Sequence, residues 1–124
     1  MSTLWNDSQP IYWQLKERTI VMILDGTLGE GEALPSVRNV ASEFQLNPIT
    51  VSKSYQALVD EGLVEKRRGL GMFVCKGAYR KLLASERDKF LNVEWPATLN
   101  RIGQLGLDIK ELLHEALEKE SESS

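Results

Sequence analysis

Leu34-Pro35-Ser36-Val37-Arg38-Asn39-Val40-Ala41, Leu46-Asn47-Pro48-Ile49-Thr50-Val51, Tyr55-Gln56-Ala57-Leu58, Glu61-Gly62-Leu63-Val64 and Gly69-Leu70-Gly71-Met72-Phe73-Val74 follow one another in one short stretch of the chain. Pro35-Ser36 is a helix start, because a Ser36 hydroxyl can accept from the unpaired backbone N–H groups of a first turn. Val37, Val40, Ala41 and Phe44 then recur at helical spacing and make one apolar face. Arg38 and Asn39 fall off that face. Asn47-Pro48 is a second start, with asparagine as the cap and proline where no donor is lost. Val51, Tyr55 and Leu58 predict the buried face of this second helix. Gly62 stands where a chain leaving a helix adopts positive φ.

After Gly62 two short strands, Leu63 to Lys66 and Met72 to Val74, flank a turn containing Arg67, Arg68, Gly69, Leu70 and Gly71. Helix, turn, helix and hairpin in this order predict a winged helix-turn-helix, which places one helix in a DNA groove. The outward positions of the second helix are Ile49, Thr50, Ser52, Lys53 and Gln56. Thr, Ser and Gln can bond base edges or phosphates, Lys bonds phosphate or guanine, and Ile can touch a thymine methyl. Such residues also occur on solvated helix faces. Arg38 reads either as a surface arginine or as a group aimed at DNA from the first helix. Arg67 and Arg68 repel one another at the hairpin tip, and a narrow groove lined by phosphates would give them a partner.

Over about residues 10–75 the chain resembles the GntR family of bacterial transcription regulators. The matching pieces are Gly26-x-Leu28, Gly31, Leu34-Pro35-Ser36-x-Arg38, Ala41, Asn47-x-x-Thr50-Val51, Tyr55-x-x-Leu58, Glu61-Gly62-Leu63-Val64 and Gly69-x-Gly71-x-Phe73-Val74. The resemblance implies that Arg38 and the first turn of the second, recognition helix meet the major groove. It implies that Arg68 and Gly69 on the wing enter the minor groove. The DNA-contacting set implied in this way is Ser36, Arg38, Asn47, Ile49, Thr50, Ser52, Lys53, Arg68 and Gly69. The recognition helix departs from the family pattern in opening with Asn47-Pro48-Ile49 and no arginine in its first turn, which leaves the operator sequence open.

The 124 residues carry a net charge of −3, an unfavourable total for a nucleic-acid binder. Its distribution is more informative. Residues 34–76 hold six basic and four acidic groups, while the segments before and after are net acidic. The winged segment is thus the one net-positive part. No apolar run of membrane-spanning length is present. Met1 to Asp7 lack the basic start and apolar core of a signal peptide, so the chain reads as cytoplasmic. Residues 1–9 read as a short arm in which Trp5 packs on the body or on a second chain, with the body as the expectation. Pro10 opens a helix to about Asp25 with an inner stripe of Ile11, Leu15, Thr19, Met22 and Ile23. A short strand, Glu32 to Leu34, can pair with the wing.

Cys75 is the single cysteine and His114 the single histidine. An internal disulfide is impossible, no metal-ligand spacing exists, and no nucleophile–base set or carboxylate pair suggests an enzyme. No cofactor is implied.

The expected domains are 1–76, the winged DNA-binding domain, and 77–124, a helical dimerisation segment with a polar tail. In the second, a helix from Ala78 to about Val93 is expected to break or kink at Pro96, with Trp95 pushed out of the α region. A helix to about Gln104 follows. Asp108 and Glu111 then form a capping box for a last helix that frays from Glu118 onward. Leu82, Leu83, Phe90, Ile102, Leu105, Ile109, Leu112, Leu113 and Leu117 are too many apolar groups for thin helices to hide alone, so a second copy is expected to cover them. Such a tail is similar to the YtrA-type branch of the same family, whose tails dimerise and whose members often repress operons for membrane transport complexes. The expectation is a mostly α protein with a small β wing that binds an inverted-repeat operator in double-stranded DNA as a homodimer and represses an operon. Any small-molecule effector is unknown. The alternative is a winged module used only for protein contacts, in which Arg38 and the wing arginines would need other partners.

Overall fold

Pro10 has no N–H to lose, and its carbonyl accepts from Trp13 and Gln14 as helix α1 (Ile11–Leu24) begins. The computed structural model describes residues 5–123, so the rest of the expected N-terminal arm lies outside the described residues. Leu15, Thr19, Ile20 and Ile23 are the buried stripe of α1. Ile11, expected inside, is exposed, and Met22 is half-buried.

Ser36 caps α2 (Val37–Phe44) by accepting from Asn39 N–H at 3.0 Å. Asn47 caps α3 (Pro48–Asp60) by accepting from Ile49 N–H at 2.8 Å. The far end of α3 closes as the sequence pattern requires. Leu63 N–H returns to the Leu58 carbonyl and Gly62 N–H to that of Val59, with Gly62 at φ +75°; this is a Schellman turn, which glycine enters without strain.

Strands β1 (Val64–Arg67) and β2 (Gly71–Val74) pair antiparallel, Val64 opposite Val74 and Arg67 opposite Gly71. The short stretch before α2 joins them. Leu34 N–H donates to the Met72 carbonyl and Val74 N–H to that of Glu32, with Ala33 bridged to Phe73. The core lies where α1, α2 and α3 meet the base of this wing, around Ile23, Leu34, Val40, Val51, Tyr55, Leu58, Leu63, Val64 and Val74. Trp5 seats edge-on against Phe44, 5.8 Å between ring centres, so the expected packing of Trp5 on the body is found.

Two compact units result, the first ending at Ala84 and the second beginning at Ser85. The first is longer than the expected 1–76. Ala78 and Leu82, on the first turns of α4 (Ala78–Lys89), are 1% and 5% exposed and complete its core. Leu82 is therefore a core residue and not part of a free tail face, a correction to the expectation from sequence.

In the second unit the helix, expected to break or kink at Pro96, does not break. Phe90–Glu94 form a π turn in which Trp95 N–H bonds the Phe90 carbonyl, and α5 (Trp95–Gln104) continues directly. Trp95 stays in the α region at φ −66°, ψ −46°, against expectation. The wider π turn displaces the carbonyls that the Pro96 ring would otherwise strike and that its missing N–H would leave unpaired. Asp108 caps α6 (Ile109–Ser123) by accepting from Lys110 N–H at 2.9 Å. No return bond from Glu111 is found among the described residues, so half of the expected capping box forms. The stretch from Glu118, expected to fray, is helical through Ser123.

Candidate nucleic-acid interface

Nine residues are implied as DNA contacts, and they fall on two helix starts and a hairpin turn. α2 and β1 both pack against α3, which fixes the recognition helix between its neighbours. Ser36 and Asn47 are exposed caps whose side-chain oxygens are engaged by backbone N–H groups. Each keeps hydrogen-bonding capacity on its outer side, a hydroxyl proton for Ser36 and an amide NH₂ for Asn47. Arg38 is exposed and has no hydrogen bond or ion pair among the described residues. Ile49, in the first turn of α3, is 74% exposed. Ser52 and Lys53 are exposed beyond it, while Thr50 is half-buried.

At the hairpin turn the two arginines part company. Arg67 is held twice, by Glu65 at 2.9 Å and over the Phe73 ring at 4.2 Å. Arg68 has no partner among the described residues, and Gly69 follows at φ +78°. A Cβ on Gly69 would meet nothing within 4 Å, so backbone conformation, not space, is what the position demands of its residue.

One contact is invisible to a reading of the sequence. The Lys53 ammonium stands 4.1 Å from the centre of the Tyr12 ring on α1, an electrostatic perch for a flexible cation. No local pattern could reveal it, because the two residues are 41 positions apart.

The expected dimer residues also separate. Leu83, Ile102, Ile109 and Leu112 are half-buried; Phe90, Leu105, Leu113 and Leu117 are exposed. Leu91, Val93, Leu99 and Leu107, outside the expected set, are exposed as well. No described residue from Ser85 onward is buried. Phe90 and Trp95 stack at 6.3 Å.

Burial pushes two ionisable groups upward. The Tyr55 hydroxyl donates to the Pro35 carbonyl at 2.7 Å, and burial pushes its pKa up to about 12. Burial also raises the Cys75 thiol. Among the described residues there is no cluster of three or more potential metal ligands and no helix long and apolar enough to cross a membrane.

Residues 11–74, the segment from α1 through β2, match the family described as bacterial regulatory proteins, gntR family. The chain belongs to the GntR family. It is 30% identical over 113 residues to the uncharacterized HTH-type transcriptional regulator YhcF of Bacillus subtilis (strain 168), spanning 91% of this chain and 92% of YhcF. It is 40% identical over 76 residues to the HTH-type transcriptional repressor YtrA of the same organism, spanning 61% of this chain and 58% of YtrA. A solved structure from Bacteroides thetaiotaomicron, assigned to a GntR-family transcriptional regulator, superposes with a TM-score of 0.70 at 31% identity, over 92% of this chain and 99% of that one. This GntR chain is a winged helix-turn-helix, DNA-binding transcription regulator and not an enzyme.

Proposed function

We propose that the chain acts as a two-fold-symmetric repressor that reads an inverted-repeat operator in the cytoplasm. The observation that carries the reading is the set of unengaged side chains, Arg38, Ile49, Ser52 and Arg68, on two helix starts and a hairpin turn. In this reading α3 lies in the major groove. Arg38 forks onto a guanine edge, Ile49 covers a thymine methyl, and Thr50, Ser52 and Lys53 bond base edges or phosphates. Ser36 and Asn47 turn their spare hydrogen-bonding groups to phosphates. Arg68 reaches the minor groove, with Gly69 allowing close approach. The exposed apolar groups of residues 85–123 are covered by a second copy, and two-fold symmetry makes the operator palindromic. Repression follows the likeness to YtrA, which is named a repressor. An operon for a membrane transport complex is the target the YtrA-type tail suggests.

Selection from random DNA, followed by gel-shift titration, tests this. The expected product is an inverted repeat, and log affinity should fall with log salt by about 0.9 per phosphate neutralised. A flat salt dependence, or no enriched sequence, would instead favour the protein-contact module.

A further inference from the structure

Helix α4 begins against the far end of the recognition helix, and three charged side chains meet there. The Lys81 ammonium donates to the Glu61 carbonyl at 2.7 Å. Glu61 is the C-cap of α3, where unpaired carbonyls and the helix dipole favour a cation. The Glu61 carboxylate is held in turn by Lys16 of α1 at 2.8 Å. At the start of α4 the charges are reversed. Glu30 Oε2, from the turn after α1, accepts from Tyr79 N–H at 3.2 Å. The N–H groups of Gly77 and Tyr79 hold its carboxyl below the usual carboxylate range. An anion thus caps the N-terminal end of α4 and a cation caps the C-terminal end of α3, each the sign its dipole prefers.

Gly62 leaves the room this requires. A Cβ at that position would stand 2.7 Å from Lys81 Nζ. Ala78 and Leu82 are buried on the same turns of α4. They lie one turn apart, a single stripe about which a helix can still roll. The two charged caps fall outside that stripe and restrain the roll.

We propose that Glu30 and Lys81 are positioning residues for operator spacing. They fix the start of α4 to the end of α3, so the recognition helix keeps one direction relative to the first turns of α4. A two-fold pair then accepts one separation between half-sites. Neither residue touches DNA in this role. The proposal rests on the dimeric operator-binding reading above.

The test uses the full chain and the half-site obtained from random DNA, presented as single half-sites and as inverted repeats with spacers lengthened or shortened by single base pairs. Wild type should favour one spacing. The variant carrying Glu30→Ala and Lys81→Met should lose about fivefold or more of that preference, the size two helix caps supply, with single-half-site affinity changed by less than about twofold. Lys81→Arg, which keeps the cation, should retain the wild-type profile. A double variant with the wild-type spacing profile overturns the proposal. A wild type that sediments as a monomer and shows no spacing preference overturns the dimer reading itself, and is recognised before any variant is compared. Thermal unfolding checks that the variants are folded. If the double variant is not, Lys81→Met alone, which shortens an exposed side chain, decides by the same spacing profile.

Discussion

Arg38 and Arg68 share a property that Arg67 lacks: nothing among the described residues neutralises them. Arg67 is occupied by Glu65 and Phe73. The sequence presents Arg67 and Arg68 as equals, yet the strand pattern separates them, since Glu65 and Arg67 are two apart and share a face of β1. Arg68 stands in the expected DNA set and Arg67 does not, but the family resemblance carried that choice and the strand geometry did not. For Arg38 the expected result of substitution by alanine is a loss of ~1–3 kcal/mol on the operator and a flattened preference at one base pair. Thermal unfolding should stay close to wild type, because the side chain is exposed and makes no hydrogen bond or ion pair among the described residues. Unchanged sequence preference would reduce Arg38 to a phosphate contact. Tyr55 makes the opposite prediction, of stability without specificity. Its hydroxyl is neutral when protonated, and its folded pKa of about 12 lies above the ordinary value of 10.0. The folded state therefore holds this proton more tightly than the unfolded state. The associated stability is full below pH 10 and is lost as pH rises through 12, at most about 2–3 kcal/mol. Urea unfolding at pH 9 and pH 11.5 should show the loss in wild type and a smaller one in Tyr55→Phe. Equal losses would show that other groups govern alkaline unfolding.

Elements were legible where their signals are local. Ser36, Asn47, Asp108 and Gly62 act within a few residues of themselves, and all four end or start helices as their chemistry dictates. Local signals misled at Trp95-Pro96, where a proline usually marks a boundary. A π turn upstream absorbed it, and no residue type announces a π turn. This turn is in effect one added residue, so it rotates the helix downstream of it by about 100°. Pro96→Ala restores a donor and removes the ring, and the turn should relax to α. Helical content by circular dichroism should rise. Leu99 and Ile102 would then turn by about that angle relative to the helix before the turn, and self-association should weaken. A Pro96→Ala chain that sediments as a dimer of wild-type strength would show that the π turn does not set the apolar face.

At the scale of the whole molecule, the net charge of −3 concealed a DNA binder because the positive excess is confined to residues 34–76. The domain boundary was concealed for a different reason. Ala78 and Leu82 read as the opening of a tail helix, and nothing in their spacing says that they belong to the core formed around Val51 and Leu58. Burial at long range decided it. The consequence is a sharp difference between two truncations. A chain ending at Lys76 loses Ala78 and Leu82 together. Emptying the Leu82 site alone compares with a large-to-small core change, about 2–5 kcal/mol, a large share of the ~5–15 kcal/mol that holds a domain folded. A chain ending at Ala84 keeps both. The second chain should unfold cooperatively in urea at a midpoint clearly above the first. It should also sediment as a monomer at micromolar concentration and bind the operator far more weakly than the full chain, since the linked second site is gone. Equal midpoints for the two truncations would refute the role given to Leu82. A chain ending at Ala84 that still forms dimers would move the self-association surface off residues 85–123 and into the winged body.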